Sequence, residues 1–547
     1  MRQVVYPRGY FQCRPFSALL KQRLRRSIHN NSSTVRISAP DVQNINFSNT
    51  KVAFASKSAG ELLRAWMILY GCSFGSVVRR ADYLYNLSLS LIGPKFTHSL
   101  IERTLFRHFC AGRDEEDIAK PIRRLEEFGV GGILDYAAEA KEDEGDDFEE
   151  GKLPLKTMAQ ARVHTYSSEA KCDKNMEIFK HAVTAVHNVS QNGFAAVKLS
   201  ALGEPALLER MSTALLEIES LFSRLAGPAS GILNYEQFEA GWQRLFTSAS
   251  REEIRSQFDR VDTDRDGEID IVDWLSSLTL RDLPRLVSTC KEQGPLFKAV
   301  LTPPELEKVD NLLARVDEIC SLASEKHVRV MIDAEWTAIQ PAIDNVVLEM
   351  QRKHNLGISP IVFHTYQTYL VGSHERVKRD LDRSKREGWR FGSKVVRGAY
   401  MVSERERASR LGLPSPIWPR YQETEENYHK TLETLLADAD TEIMVASHNE
   451  RTMKYVLKKI SENNKDINQV YFGQLLGMAD HLTFTLAAHR LRAYKYVPYG
   501  PVDEVMPYLI RRTQENSTLL GTPAVVAERK MLFTELVRRL TPSLRKP

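Results

Sequence analysis

From residue 48 to about residue 124, apolar residues recur at i, i+3 and i+4, most clearly over 59–69 and 100–109, and predict an N-terminal helical region. Beyond it the period changes. Short apolar runs alternate with longer amphipathic stretches, and eight of these runs read as strands: 131–137 (GGILDYA), 195–201 (AAVKLSA), 328–335 (VRVMIDAE), 360–366 (PIVFHTY), 394–400 (KVVRGAY), 442–448 (EIMVASH), 470–475 (VYFGQL) and 494–499 (YKYVPY). Alternating strands and helices produce a parallel sheet, and eight strands close most simply into a (βα)8 barrel, so the predicted class is α/β. The acidic run 142–150 falls in the first connection and reads as solvated loop.

Polar side chains gather at the carboxyl ends of the runs: Lys198, Asp333 with Glu335, His364, Arg397 with Tyr400, His448 with Asn449, and Gln474. A barrel of this kind carries its chemistry on that face. Any one of these residues is explained by a local structural bond. Together they place many charges close to one another, a cost that a site would justify.

About 125 residues separate the second run from the third, far more than one helix needs. Within them Asp262-Thr-Asp264-Arg-Asp266-Gly267-Glu268-Ile-Asp270-Ile-Val-Asp273 fits the EF-hand calcium loop, with oxygen ligands at positions 1, 3 and 5, glycine at 6, a carbonyl at 7 and a carboxylate at 12. The expected metal residues are Asp262, Asp264, Asp266, Glu268 and Asp273. Asp273 stands where Glu normally gives two oxygens, and its shorter reach predicts weaker Ca²⁺ binding or tolerance of Mg²⁺. Thirty-six residues before Gly267, Gly231-Ile-Leu-Asn-Tyr-Glu-Gln-Phe238 repeats the glycine-and-helix half of the pattern with Ala226, Pro228 and Ser230 at its ligand positions, so that hand should bind no metal. A structural remnant that binds nothing is the alternative for the whole insert.

Directly after the eighth run, Tyr508-Leu-Ile-Arg511-Arg512-Thr-Gln-Glu515-Asn516 reads as a helix in which Glu515 can touch both arginines. Over a barrel mouth, two guanidiniums offer one carboxylate a bidentate grip that Lys could not supply. The ordinary alternative is an exposed, salt-bridged helix face.

Composition narrows the function. The chain has 547 residues, 42% hydrophobic and 27% charged, as a folded soluble protein has. Its net charge of +4 is misleading, because the first forty residues hold eight of the 75 Lys and Arg and no acid; the rest carries 67 basic against 71 acidic groups. That balance argues against a nucleic-acid binder, which would show a basic face in its folded part, though it does not exclude a local patch. Arg-rich, Ser-containing and acid-free, residues 1–40 have the composition of a mitochondrial transit peptide, with a basic tail as the alternative. The longest apolar stretch, 65–78, spans 14 residues, short of the roughly 20 a membrane span needs. Six scattered cysteines indicate neither a zinc site nor a disulfide framework. The predicted partition is 1–40 transit peptide, 41–124 helical region, 125–204 first part of the barrel, 205–290 EF-hand-like helical insert, and 291–547 the rest of the barrel with a substrate-capping C-terminal helix.

Taken together, Val197-Lys198-Leu-Ser-Ala201, Asp333-Ala-Glu335, Val396-Arg397-Gly398-Ala399-Tyr400, Ser447-His448-Asn449, Gln474-Leu475-Leu476-Gly477-Met478 and the segment from Tyr508 to Asn516 resemble the eukaryotic mitochondrial proline dehydrogenases. Each motif is weak; their order over about 320 residues is specific. The resemblance covers 41–204 and 291–547, the calcium-type insert belonging only to some eukaryotic members. It implies noncovalent FAD in a (βα)8 barrel, which agrees with the absence of a Gly-x-Gly-x-x-Gly fingerprint, and oxidation of L-proline to Δ1-pyrroline-5-carboxylate. It also implies electron transfer to ubiquinone, and a peripheral position on the matrix side of the inner mitochondrial membrane, for which the apolar N-terminal helices offer a contact.

By resemblance, Arg511, Arg512 and Lys198 would hold the substrate carboxylate, while Asp333, Tyr400, Leu475 and Tyr496 would shape the pocket, with Tyr496 crowding the ring carbon opposite the nitrogen. His364, Lys394, Arg397, Gly398, Ala399, Thr424, Ala446, Ser447, His448 and Glu515 would contact FAD, with Arg397 and His448 near its pyrophosphate. Bacterial members carry Gln, Arg and Lys at the positions matched here to His364, Lys394 and Arg397. If the amine enters neutral no strong base is required, and Asp333 is the nearest candidate if one is. Hydroxyproline dehydrogenase is the competing activity, opposed by the bulk of Tyr496. From other classes, Asp333, Glu335, His364 and His448 could ligate a hydrolytic metal, or the chain could be a calcium-responsive scaffold.

Overall fold

The computed structural model describes residues 45–75, 78, 80–137, 168–190, 192–227, 231–247, 249–291, 294–502, 504–519 and 523–541. The proposed transit peptide and the acidic run 142–150 lie outside them.

The strands are β1 (Val130–Tyr136), β2 (Phe194–Val197), β3 (Leu233–Asn234), β4 (Glu268–Ile269), β5 (Arg329–Ile332), β6 (Val362–Gln367), β7 (Gly392–Val396), β8 (Glu442–Ala446), β9 (Val470–Leu475) and β10 (Arg492–Tyr499). Eight of them form a closed parallel barrel in the order β1-β10-β9-β8-β7-β6-β5-β2, and β3 and β4 pair separately as a two-stranded antiparallel sheet. All eight predicted runs are barrel strands. The runs overshoot β2, β5 and β7 at their carboxyl ends, because there the chain has already turned into the mouth; Leu199–Ala201, for instance, is a single tight turn.

Alternation decides which side chains fill the barrel. Ile133, Phe194, Ala196, Met331, Phe363, Met444, Tyr471, Tyr494 and Tyr496 point inward and form one buried cluster. Phe194 meets Phe363, Tyr471 and Tyr494 edge-on at 5.2 to 5.4 Å. A side chain at Gly131 would come within 2.3 Å of the Tyr494 ring, so only glycine admits it. This aromatic plug leaves the opposite, carboxyl-terminal end for polar groups.

Helices Glu169–Val189, Pro303–Lys326, Gln340–His354, Ser373–Glu387, Tyr421–Ala437, Glu450–Glu462 and Asp480–Ala488 surround the strands. Near the N-terminus, helix Ala59–Gly71 starts at a Ser58/Glu61 capping box and packs Leu62, Ala65 and Leu69 against Leu532 and Leu536 of the last helix, Pro523–Leu540. Helix Ala81–Ile101 breaks at Gly93, whose φ of 78° precedes Pro94, and leaves Leu84, Leu87, Leu91, Ile92, Phe96 and Leu100 exposed. No described helix is long and apolar enough to cross a membrane.

Between β2 and β5, helix Pro205–Ala226 packs on Gln340–His354 of the barrel and receives Tyr235–Leu245 and Ile271–Ser277 on its other side. Its Ile218 carbonyl accepts the buried Trp274 indole N–H at 2.8 Å. Phe238, Trp242, Phe258 and Trp274 belong to the same hydrophobic core as Val330, Ile343 and Val347, so the described residues of 205–290 share the barrel's core.

Candidate active site

The mouth is organised around two buried ion pairs. Asp135 lies two residues past inward-facing Ile133, and its Oδ1 is 2.5 Å from Nζ of Lys198, just beyond β2; the two residues are 1% and 5% exposed. Next in the barrel, Asp333 follows β5 and is bonded by Nζ of Lys394 on β7 and, at 2.8 Å, by the Tyr496 hydroxyl of β10. The Lys394 ammonium sits 5.5 Å from the centre of the Tyr496 ring. Burial alone would raise the Asp333 carboxyl, but the cations Lys394 and Lys198 outweigh it and hold the group down at about 2. Asp333 is therefore a fixed anion and a poor proton acceptor at neutral pH.

Glu335 behaves oppositely. Its Oε1 accepts the Ser200 N–H at 3.0 Å and its Oε2 has no hydrogen-bond partner, and burial, reinforced by Asp333, pushes the carboxyl up to about 7. Its backbone accepts a bond from the Gln367 amide at 2.7 Å and donates one to Gln340 Oε1 at 2.8 Å.

On the β7–β8 side, Arg397 is fixed by Glu425 Oε2 at 2.6 Å, Ser447 Oγ at 2.8 Å and Thr452 Oγ1 at 2.8 Å, and its guanidinium lies over the Tyr428 ring at 4.2 Å. Gly398 follows with φ of 142°, and a side chain there would come within 2.4 Å of the Tyr369 ring. Gly398 and Ala399 are exposed, Tyr400 is buried, and Thr424 is buried in the first turn of Tyr421–Ala437. Ala446 ends β8, its carbonyl accepting the Tyr428 hydroxyl at 3.2 Å. Beyond it, His448 Nε2 accepts the Leu475 N–H at 3.0 Å. Burial, together with Lys495, Arg512 and Arg397, pushes the His448 imidazolium down to about 3, so the ring is neutral. Helix Met506–Leu519 carries Arg511, half-buried, and Arg512, buried with its guanidinium 4.9 Å from the Tyr508 ring centre. The Glu515 side chain lies outside the described residues.

Two expectations require correction. His364 does not face the mouth: it is one residue past inward-facing Phe363, and its Nε2 lies 3.0 Å from Asp344 of helix Gln340–His354, in the layer between strand and helix. Three residues on, an odd number, Gln367 stands on the inward face at the end of β6. The hydrolytic ligand set built on Asp333, Glu335, His364 and His448 is not assembled, since His364 points away and Asp333 is taken by Lys394. In the insert, carboxylates of Asp262, Asp264 and Asp266 come within 4.8 Å of one another; Asp273 is not among them, and Glu268, at position 7, is expected to offer its backbone carbonyl rather than its side chain. Both Asp273 oxygens are turned to groups of its own loop, Thr263 N–H at 3.2 Å and Asp270 N–H at 3.2 Å. Of the upstream hand's ligand positions, Pro228 and Ser230 lie outside the described residues.

Three residues escaped the sequence reading. Asp135 and Gln367 were readable by counting alternation from Ile133 and Phe363. Lys495 was not, because a strand lysine normally reads as exposed; here it faces outward yet is fully buried, donating to the Leu475 and Met478 carbonyls at 3.2 and 2.6 Å and pairing with Asp480 at 2.7 Å.

Residues 118–522 match the family model described as proline dehydrogenase. The chain is 37% identical to human "Proline dehydrogenase 1, mitochondrial" over 92% of its own length and 90% of the relative's, and 34% identical to the Drosophila melanogaster protein of that name over 95% and 85%. Human "Hydroxyproline dehydrogenase" is 28% identical over 90% of this chain and 94% of the relative. Among solved structures, proline utilization A of Bdellovibrio bacteriovorus, inactivated by N-propargylglycine, superposes with a TM-score of 0.52 at 17% identity; the match covers 95% of this chain and 43% of that longer one, and bears on the fold alone.

Proposed function

The chain belongs to the proline dehydrogenase family, and from that premise we propose that its barrel mouth holds FAD noncovalently and oxidises L-proline to Δ1-pyrroline-5-carboxylate. One observation carries the assignment of roles: two buried lysine–carboxylate pairs stand at the strand ends, and the helix bearing Arg511 and Arg512 follows the last strand.

The residues on the β7–β8 side fit a flavin nucleotide. Arg397 is a cation held by three partners, the backbone at Gly398 has no room for a side chain, and His448 is uncharged. When bound, FAD would supply the acceptor for the hydride lost from the proline ring carbon next to nitrogen, the N–H proton leaving as that carbon–nitrogen bond becomes double. Lys394, Arg397, Gly398, Ala399, Thr424, Ala446, Ser447, His448 and Glu515 would hold it, with Gln367 replacing His364 in that set.

Arg511, Arg512 and Lys198 would grip the substrate carboxylate and so fix the ring, which converts an encounter into an oriented complex. Asp135 holds the Lys198 ammonium in place through their buried ion pair. Asp333 orients Lys394 and Tyr496 and does not take a proton, so the substrate amine enters neutral. Tyr496 then limits what the ring can carry, which favours proline over hydroxyproline.

A bilayer contact supplying ubiquinone on the matrix side of the inner membrane is supported by the exposed apolar residues of Ala81–Ile101, flanked by exposed Lys95, Arg103 and Arg107 that complement anionic headgroups. The loop Asp262 to Asp273 is read as a site for Ca²⁺ or Mg²⁺, supported by its three convergent carboxylates.

The test is the absorption spectrum of the purified chain with kinetics of Arg512→Met. A yellow variant whose KM for proline rises about tenfold or more supports the clamp. Full proline affinity in the variant, or turnover by a chain that retains no flavin, refutes the assignment, and a higher kcat/KM for hydroxyproline moves the substrate.

A further inference from the structure

The loop carboxylates are met by a cation from outside the insert. Arg386 sits in the last turn of helix Ser373–Glu387, in the connection between β6 and β7. Its Nη1 is 3.2 Å from Asp264 Oδ2 and 3.5 Å from Asp273 Oδ2, and its Nη2 is 2.5 Å from Asp270 Oδ2. These are positions 3, 12 and 9 of the loop. Asp262, at position 1, is 9% exposed, and its buried Oδ1 has no hydrogen-bond partner, so an acceptor is aimed into the loop with nothing to accept.

Resting on the reading of Asp262 to Asp273 as a divalent-cation loop, we infer that Arg386 is an intramolecular counter-cation that closes this site, and that a hard divalent cation binds only by displacing it.

The competition is one of lone pairs and charge. The guanidinium occupies one lone pair each of Asp264 Oδ2 and Asp273 Oδ2 and holds those carboxylates toward itself, and a divalent ion a few ångströms from a guanidinium is repelled. Arg386 has somewhere to go. Its Nη2 is already 2.7 Å from Asp382, one turn earlier on its own helix, so release from the loop leaves it paired. Asp273 also has to leave Thr263 and Asp270 before it can ligate, which adds to the same closed state. The consequence is a site of low affinity whose occupancy frees the end of a barrel helix, the one that Gly388 terminates before the chain enters β7 and Lys394.

The experiment uses the full chain and calorimetric titration with Ca²⁺ alone. Arg386 is a surface residue at 26% side-chain exposure, so its replacement is tolerated structurally. Arg386→Met is expected to bind Ca²⁺ about tenfold tighter than the wild type or better, with Arg386→Lys between the two, and Asp262→Asn to bind none. In the wild type, Ca²⁺ should also speed amide exchange at the end of Ser373–Glu387, an effect absent from Asp262→Asn. If Arg386→Met binds no more tightly than the wild type while Asp262→Asn abolishes binding, displacement is overturned and the loop reading survives. If no chain binds Ca²⁺, both fall together.

Discussion

Replacing Glu335 by Gln should make the protein more stable, and increasingly so as pH rises. The carboxyl is almost fully buried, one oxygen accepts the Ser200 N–H, and the other has no partner, so the charged form is poorly supported and the group titrates near about 7 instead of 4.5. Well below pH 4.5 it is neutral in folded and unfolded chains alike, and the stability it permits is fully present. Between 4.5 and about 7 the unfolded chain releases the proton while the folded chain keeps it, so stability is lost with rising pH until the folded group also ionises. At about 1.4 kcal/mol per pH unit that interval amounts to about 3 kcal/mol. The amide introduced by Glu335→Gln keeps an acceptor for the Ser200 N–H and never ionises. Urea unfolding of both chains in parallel, at about pH 5 and about pH 8, should show the gap in favour of Glu335→Gln widening by about 2 to 3 kcal/mol, since all other titrations are common to both. The infrared band of a protonated carboxylic acid should disappear from the wild type near neutral pH and be missing from the variant. Equal decline of the two chains over this range would refute the reasoning.

Two further expectations concern the cofactor and the bilayer. Gly398→Ala forces a side chain into φ of 142° and to within 2.4 Å of the Tyr369 ring, a strain of about 2 to 5 kcal/mol that should lower the flavin-to-protein absorbance ratio; undiminished flavin content and an unchanged unfolding midpoint would contradict it. Leu91→Ser combined with Phe96→Ser removes two apolar side chains that are 73% and 76% exposed, so partitioning onto vesicles containing anionic lipid should fall about tenfold or more while activity with a soluble electron acceptor is kept; equal vesicle binding by the variant would remove the membrane reading.

How much of this was legible along the chain depends on the range of the interaction. The eight strands were readable because a strand's apolar run and the helix after it are local patterns, and eight such repeats leave few ways to close a sheet. The mouth residues Lys198, Asp333, Arg397 and His448 were readable for the same reason, as polar groups at the ends of apolar runs, whereas Lys394 and Tyr496, at the start and in the middle of theirs, came only from the family resemblance. His364 was misread because two adjacent strand residues share a run and oppose each other in space. The insert's loop motif stood out in sequence, but the sharing of its core with the barrel did not, because Phe238 and Trp274 join the same buried cluster as Ile343 only after folding.

Pattern and motif therefore determined the barrel and the family and marked the face that carries the candidate site, since periodicity and residue type are properties of neighbours in sequence. Tertiary structure decided the ionisation of those groups and their partners: Asp333 is anionic, Glu335 titrates near neutrality, and Arg386 reaches an insert 113 residues away. Those outcomes depend on desolvation and on distances of a few ångströms between residues far apart in the chain, and neither quantity exists until the chain has folded.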